Sequence, residues 1–258
     1  MCLLVLAYRT QADCPLLLAA NRDEFYDRPA APAQFWPEAP QLLAGRDLLA
    51  GGTWLGVTRD GRFAAVTNYR EARTVNPPPR SRGALVRDYL LAQASAGAYA
   101  QSLPAHAADY AGFNLLCGDR QSLWWYSNRG GPPRQLAPGI YGLSNDQLDT
   151  PWPKVQASKA ALAGLCKDGA PPADALLELL QDRRTHPASA DPAIGLDSAL
   201  AQALSAIFIE TPRYGTRCST VLRMSADGRA EFVERRHAPE RGESQFRFSL
   251  HESRTTRA

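Results

Sequence analysis

Apolar and polar positions alternate along this chain in a way that predicts strands far more often than helices. Cys2 to Tyr8 is a continuous apolar run, Arg9 to Asp13 is polar, and Pro15 to Ala20 is apolar again, which reads as a hairpin of strands buried on both faces. With the turn centred near Gln11 and Ala12, antiparallel partners sum to roughly 23, so Cys2 is expected opposite Asn21 to within a residue or two. A second hairpin is signalled by Thr53 to Arg59, the Asp60-Gly61 turn and Arg62 to Asn68, and its far end brings Gly51-Gly52 near Asn68. A third joins Gly112–Cys117 to Ser122–Tyr126. Further strands are expected at 140–143, 206–210, 219–224, 230–234 and 245–250.

Helical spacing of apolar residues occurs only at 84–94, 154–165 and 173–180. Many strands with few helices, and no regular strand and helix alternation, predict an α+β sandwich rather than a Rossmann fold or a barrel. The Pro-rich stretches 28–40 and 76–82 are expected to be surface loops, and 254–258 a flexible tail. The whole chain, 1–258, is expected to form a single domain.

Composition narrows the function classes. The chain has 258 residues with 29 basic and 26 acidic side chains, a net charge of +3, so neither a nucleic-acid footprint nor an acidic tail is expected. At 45% hydrophobic and 21% charged residues it can build a substantial core. The longest apolar runs are far below the ~20 residues needed to span a bilayer. No basic leader precedes the first apolar residues, so a cytoplasmic location is expected. Five dispersed cysteines without a C-x-x-C predict reduced thiols, with neither a disulfide framework nor a metal centre. Four scattered histidines offer no triad, and no P-loop, G-x-S-x-G or H-E-x-x-H is present.

Candidate chemistry therefore rests on Cys2. Removal of Met1 would give this residue both a thiol and a free α-amine, groups whose reference pKa values of about 8.5 and 7.8 are nearly matched. Nucleophile and base would then share one residue. The hairpin register brings Asn21, Arg22, Asp23 and Glu24 to the same sheet end, where an arginine lowers a thiol pKa and a carboxylate holds an α-ammonium. Asn68 and Asn145 are candidate oxyanion donors, since a carboxamide offers N–H groups without adding charge. Arginines 70, 73, 80, 82 and 87 cluster around Pro77–Pro79, and planar guanidinium groups suit an anionic small-molecule ligand.

These residues also carry a resemblance. Met-Cys-Leu, Asn21-Arg22-Asp23-Glu24-Phe25, Gly51-Gly52-Thr53-Trp54-Leu55-Gly56, Thr67-Asn68-Tyr69-Arg70, Ser81-Arg82-Gly83, Gly142-Leu143-Ser144-Asn145, Thr150-Pro151-Trp152-Pro153-Lys154 and Tyr214-Gly215-Thr216-Arg217 resemble the NRDE family, that of transport and Golgi organisation protein 2. More remotely, the chain is similar to the N-terminal-nucleophile hydrolases of the choloylglycine hydrolase and penicillin V acylase type. The resemblance implies a four-layer αββα sandwich with Cys2 as nucleophile. It further implies catalytic roles for Arg22, Asp23, Asn68, Asn145 and Arg217, and substrate contacts from Asn21, Glu24, Trp54, Tyr69, Arg70 and Arg82. The adjacent arginine and aspartate depart from the Arg-x-x-Asp spacing of the hydrolases, so Asn21, Asp23 and Glu24 all stay candidates for the aspartate's role. Two functions follow: hydrolysis of an amide or thioester, with no cofactor, or a non-enzymatic cytoplasmic carrier of haem or an acylated metabolite. The oligomeric state is not legible.

Overall fold

The computed structural model describes residues 2–71, 80–188 and 196–251. Arg73, Pro77–Pro79 and the tail 254–258 lie outside the described residues. Among the described residues, two antiparallel sheets carry the fold. The first is six-stranded, with spatial order β10 (Gly139–Leu143), β1 (Cys2–Tyr8), β2 (Leu16–Phe25), β11 (Tyr214–Met224), β12 (Arg229–Arg236) and β13 (Gly242–Ser249). The second is seven-stranded and runs in chain order: β3 (Ala30–Trp36), β4 (Ala39–Asp47), β5 (Leu55–Thr58), β6 (Phe63–Asn68), β7 (Phe113–Gly118), β8 (Leu123–Ser127) and β9 (Arg134–Gln135).

Three apolar clusters divide the molecule into four layers. Strand side chains alternate between faces, so a strand apolar at every position feeds two cores. In β1, Leu4 and Leu6 pack with Leu18, Leu43, Val57 and Phe232 between the sheets. Leu3 and Val5 instead face Val155 and Leu162 of α3 (Pro153–Leu165) and Leu176 of α4 (Ala173–Leu179). On the far side, Leu85 and Tyr89 of α1 (Gly83–Leu91) and Ala96 of α2 (Ala96–Ser102) cover Leu42, Ala64 and Leu115 of the seven-stranded sheet. A short α5 (Ser198–Ala203) adds a satellite cluster. The architecture is a four-layer αββα sandwich. No helix among the described residues is long and apolar enough to cross a membrane.

The first hairpin forms with Cys2 opposite Arg22, one residue from the expected centre. Two expectations fail. The stretch 28–40 is not a loop, because Ala30–Trp36 pairs with β4 as an edge strand, where Pro32 falls within the register shift between Ala31 and Gln34 and costs no ladder bond. Residues 206–209 are buried, Glu210 is exposed, and the stretch forms no strand beyond a bridge at Glu210: the Phe208 N–H goes to Asp182 O, and the Ile207 carbonyl accepts from the Asn21 side chain.

Candidate active site

Register decides what the polar run 21–24 does. Arg22 sits between Cys2 on β1 and Cys218 on β11, and the side chains of this row face the space between the sheets. Asn21 points the other way. It is fully buried, its amide donating to Leu180 O and Ile207 O at 2.9 Å each and its carbonyl accepting from Ser219 Oγ at 2.6 Å. Every polar atom of that side chain is engaged in holding β2 to α4 and β11.

Around Cys2 the chain leaves a cleft of about 110 Å³, lined by Arg22, Asp23, Glu24, Trp54, Asn68 and Arg82 together with Arg28, Asp47, Thr53 and Ser81. The glycine pair explains part of this wall. Gly51 adopts φ +71°, and a Cβ on Gly52 would lie 2.5 Å from the Gly83 carbonyl carbon. Only glycine allows the β4–β5 turn to press on the start of α1, where Thr53 N–H donates to Gly83 O at 3.2 Å and Arg82 enters the cleft.

Cys2 is half-buried, and Ser144 Oγ donates to its carbonyl at 2.9 Å. Burial pushes the thiol above its usual range and the Asp23 charge adds to the rise, while a backbone hydrogen bond from Asp23 and the charge of Arg22 pull the other way. The Arg22 guanidinium lies 4.1 Å from the Trp54 ring centre, a cation–π contact that sets the direction of both side chains. Arg28 is held by Asp47 at 2.6 Å and, loosely, by Glu24 at 3.9 Å.

Asp23 bridges the two faces. Its Oδ1 accepts from Thr216 Oγ1 at 2.7 Å, and burial raises its carboxyl to about 6 against the opposing charges of Lys154 and Arg22. Lys154 is the residue that sequence reasoning missed. It closes the Thr150–Lys154 motif, where the sequence alone gives it no role. It enters α3 just after Pro153, is 2% exposed, donates to Leu204 O at 3.0 Å, and is drawn down to about 8 chiefly by burial, against the pull of Asp23. A lysine at the head of an otherwise half-apolar helix was the available signal.

Other candidates are placed nearby with different partners. Asn145 is fully buried and donates to the Asn68 carbonyl at 2.7 Å, with its Oδ1 lying 3.1 Å from Ser144 Oγ. Tyr69 Oη donates to Asp146 at 2.9 Å, and Arg70 stacks on Trp152 at 4.5 Å. Arg217 donates to the carbonyls of Phe25, Arg28 and Ala238 at 2.6–2.9 Å, clamping the turn after β2. Asn21, Tyr69, Arg70, Asn145 and Arg217 therefore stand outside the cleft lining, whereas Arg22, Asp23, Glu24, Trp54, Asn68 and Arg82 converge on Cys2. No histidine is among the residues lining it.

Two helical layers enclosing two antiparallel sheets, with a cysteine heading an inner strand opposite an arginine, define the class as a four-layer αββα sandwich. The description of the Transport and Golgi organisation 2 family matches residues 1–239. The chain belongs to that family. It is 39% identical over 237 residues to the Transport and Golgi organization protein 2 homolog of Bos taurus and 36% identical to that of Homo sapiens, each alignment covering 85% of this chain and 86% of the relative. The Drosophila melanogaster protein is 27% identical over 241 residues, with 85% of each chain covered. Among solved structures, a Caenorhabditis elegans N-acylethanolamine-hydrolyzing acid amidase ortholog aligns with a TM-score of 0.47 at 12% identity, covering 85% of this chain and 92% of its own. A mutant conjugated bile acid hydrolase from Clostridium perfringens aligns with a TM-score of 0.49 at 7% identity, covering 98% of both chains.

Proposed function

We propose that this protein is a cytoplasmic N-terminal cysteine-nucleophile amidohydrolase that cleaves an amide or thioester of a small anionic molecule. The observation that carries this reading is the convergence on Cys2 of a backbone hydrogen bond from Asp23, the Arg22 guanidinium and the Asn68 side of the cleft. After Met1 is removed, the Cys2 α-amine takes the thiol proton. The sulfur adds to the acyl carbon, and the amine or thiol leaving group departs carrying that proton. Water, deprotonated by the same amine, then hydrolyses the thioacyl intermediate. Asn68 supplies an oxyanion donor, with Asn145 fixing its backbone, and each such donor is typically worth about 3 kcal/mol in the transition state. Arg22 and Arg82 hold the substrate's negative charge.

Incubation with an activated thioester, followed by intact-mass analysis, tests the scheme. The expected result is a protein lacking Met1 that gains one acyl group on Cys2, and loss of turnover by ~10³-fold or more in Cys2→Ser. A protein that retains Met1, or whose acylation survives the substitution, would sink the scheme. One observation favours a second reading. Burial pushes the Cys2 thiol up, away from the thiolate that attack requires, as suits a carrier that holds an acyl metabolite or haem without turning it over. Saturable binding of such a ligand, unchanged in Cys2→Ser and without hydrolysis, would favour the carrier.

A further inference from the structure

Behind the Cys2 cleft, on the helix-covered side of the six-stranded sheet, lies a larger cavity of about 520 Å³ that the proposed chemistry does not use. It is within the ~300–1,000 Å³ range of small-molecule sites. Four guanidinium groups line it, those of Arg183, Arg235, Arg236 and Arg241, against two carboxylates, those of Glu210 and Glu243. The pairing is uneven. Arg235 is held by Glu243 at 2.7 Å and Asp174 at 3.5 Å, and Arg183 by Glu210 at 3.4 Å. Arg236 donates to the neutral Ser244 Oγ at 2.9 Å, and Arg241 has no acidic partner among the described residues. Arg236, whose charge also acts on the buried Glu234 carboxyl, and Arg241 thus face the cavity without an ion-pair partner among the described residues.

The inner wall is polar and aromatic, with Gln181, Phe208 and His237 lining it. His237 presents its ring edge to Phe208, with centroids 4.9 Å apart, and its Nε2 lies 2.9 Å from Ser219 Oγ. Because the Ser219 proton goes to Asn21 Oδ1, this contact leaves Nε2–H as the donor toward Ser219. The aromatic pair gives the cavity an apolar strip, over which the Arg183 guanidinium lies 4.2 Å from the Phe208 ring centre.

We infer that this cavity is a second ligand site, specific for a small molecule bearing a dianionic phosphate group, with Arg236 and Arg241 as its donors and Phe208 against the organic part. The charge left by Arg236 and Arg241 matches a phosphate monoester better than a single carboxylate, and guanidinium forks suit its oxygens. The site stands independently of the reaction proposed at Cys2. A reporter is built in: burial and the charges of Arg235, Arg183 and Arg241 draw His237 down to about 4, so an anion that neutralises those arginines would raise it.

The test uses the full chain, with inorganic phosphate and phenyl phosphate as probes and chloride at equal ionic strength as the control. Calorimetry should show saturable binding of both phosphates, and NMR should show the His237 ring titrating at higher pH while the Trp54 indole N–H stays in place. Arg241→Ala, an exposed position that the fold tolerates, and Arg236→Gln should each weaken binding at least about tenfold. Absence of binding, equal binding of chloride, or affinity unchanged by both substitutions would overturn the site. So would a shift at Trp54 in place of His237, which would move the ligand into the Cys2 cleft.

Discussion

The two faces of strand β2 near its polar end behave in opposite ways. Asn21 faces the helices with every polar atom of its side chain engaged by two carbonyls and a serine. Arg22, the next residue, faces the space between the sheets, rests on an aromatic ring and opens onto a cleft. Adjacent polar residues thus divide labour by the strand's two-residue period: one side chain closes a layer, its neighbour serves a site. A fully satisfied polar group holds structure, and a partly satisfied one is available to a ligand.

That contrast can be broken most forcefully at Asn21. Asn21→Leu would leave the carbonyls of Leu180 and Ile207 buried without donors, so urea unfolding should show a loss of about 3 kcal/mol. Arg22→Gln, on the other face, should cost only about 1 kcal/mol through the lost stacking on Trp54. Similar losses for the two variants would erase the distinction.

Asp23, which connects the faces, sharpens it through pH. Its carboxyl titrates at about 6 in the fold and near the ordinary 3.8 when unfolded, so between these values the native state keeps a proton that the unfolded state has lost. Stability conferred by the protonated group is therefore present at pH 4 and lost as pH rises through 6. Relative to Asp23→Asn, the native sequence should fall by about 2–3 kcal/mol across that window, measured by denaturation at each pH. A flat difference would show that Asp23 is not buried as a carboxylate.

The smallest of these effects concerns Lys154. Its positive charge lowers Asp23, so Lys154→Met should move the Asp23 titration above about 6, followed by carboxyl-carbon NMR. An unmoved Asp23 would disconnect helix α3 from the site.

Much of this arrangement was legible before any coordinates. The first hairpin is legible because both strands are apolar throughout, and the short polar turn between them sets the register that brings Cys2 opposite Arg22. The edge strand β3 was hidden by Pro29 and Pro32, residues that deny a central strand but not an outer one. Arg217 and Asn145 could not be placed from sequence, since their partners are backbone carbonyls brought together by distant segments. Lys154 was equally opaque. Its burial depends on Leu204, fifty residues on, and on an aspartate across the sheet.

The contact between Arg22 and Trp54 has a practical consequence. Of the chain's five tryptophans, Trp54 is the one among the residues lining the Cys2 cleft, and its indole is covered by the guanidinium that a bound anion would attract. Drawing that cation away uncovers the ring and changes what its excited state encounters. The cleft thus contains its own chromophore, and a change in emission from unlabelled protein can follow occupancy at Cys2 in real time, with Trp54→Phe as the control that keeps the other four tryptophans and loses the response.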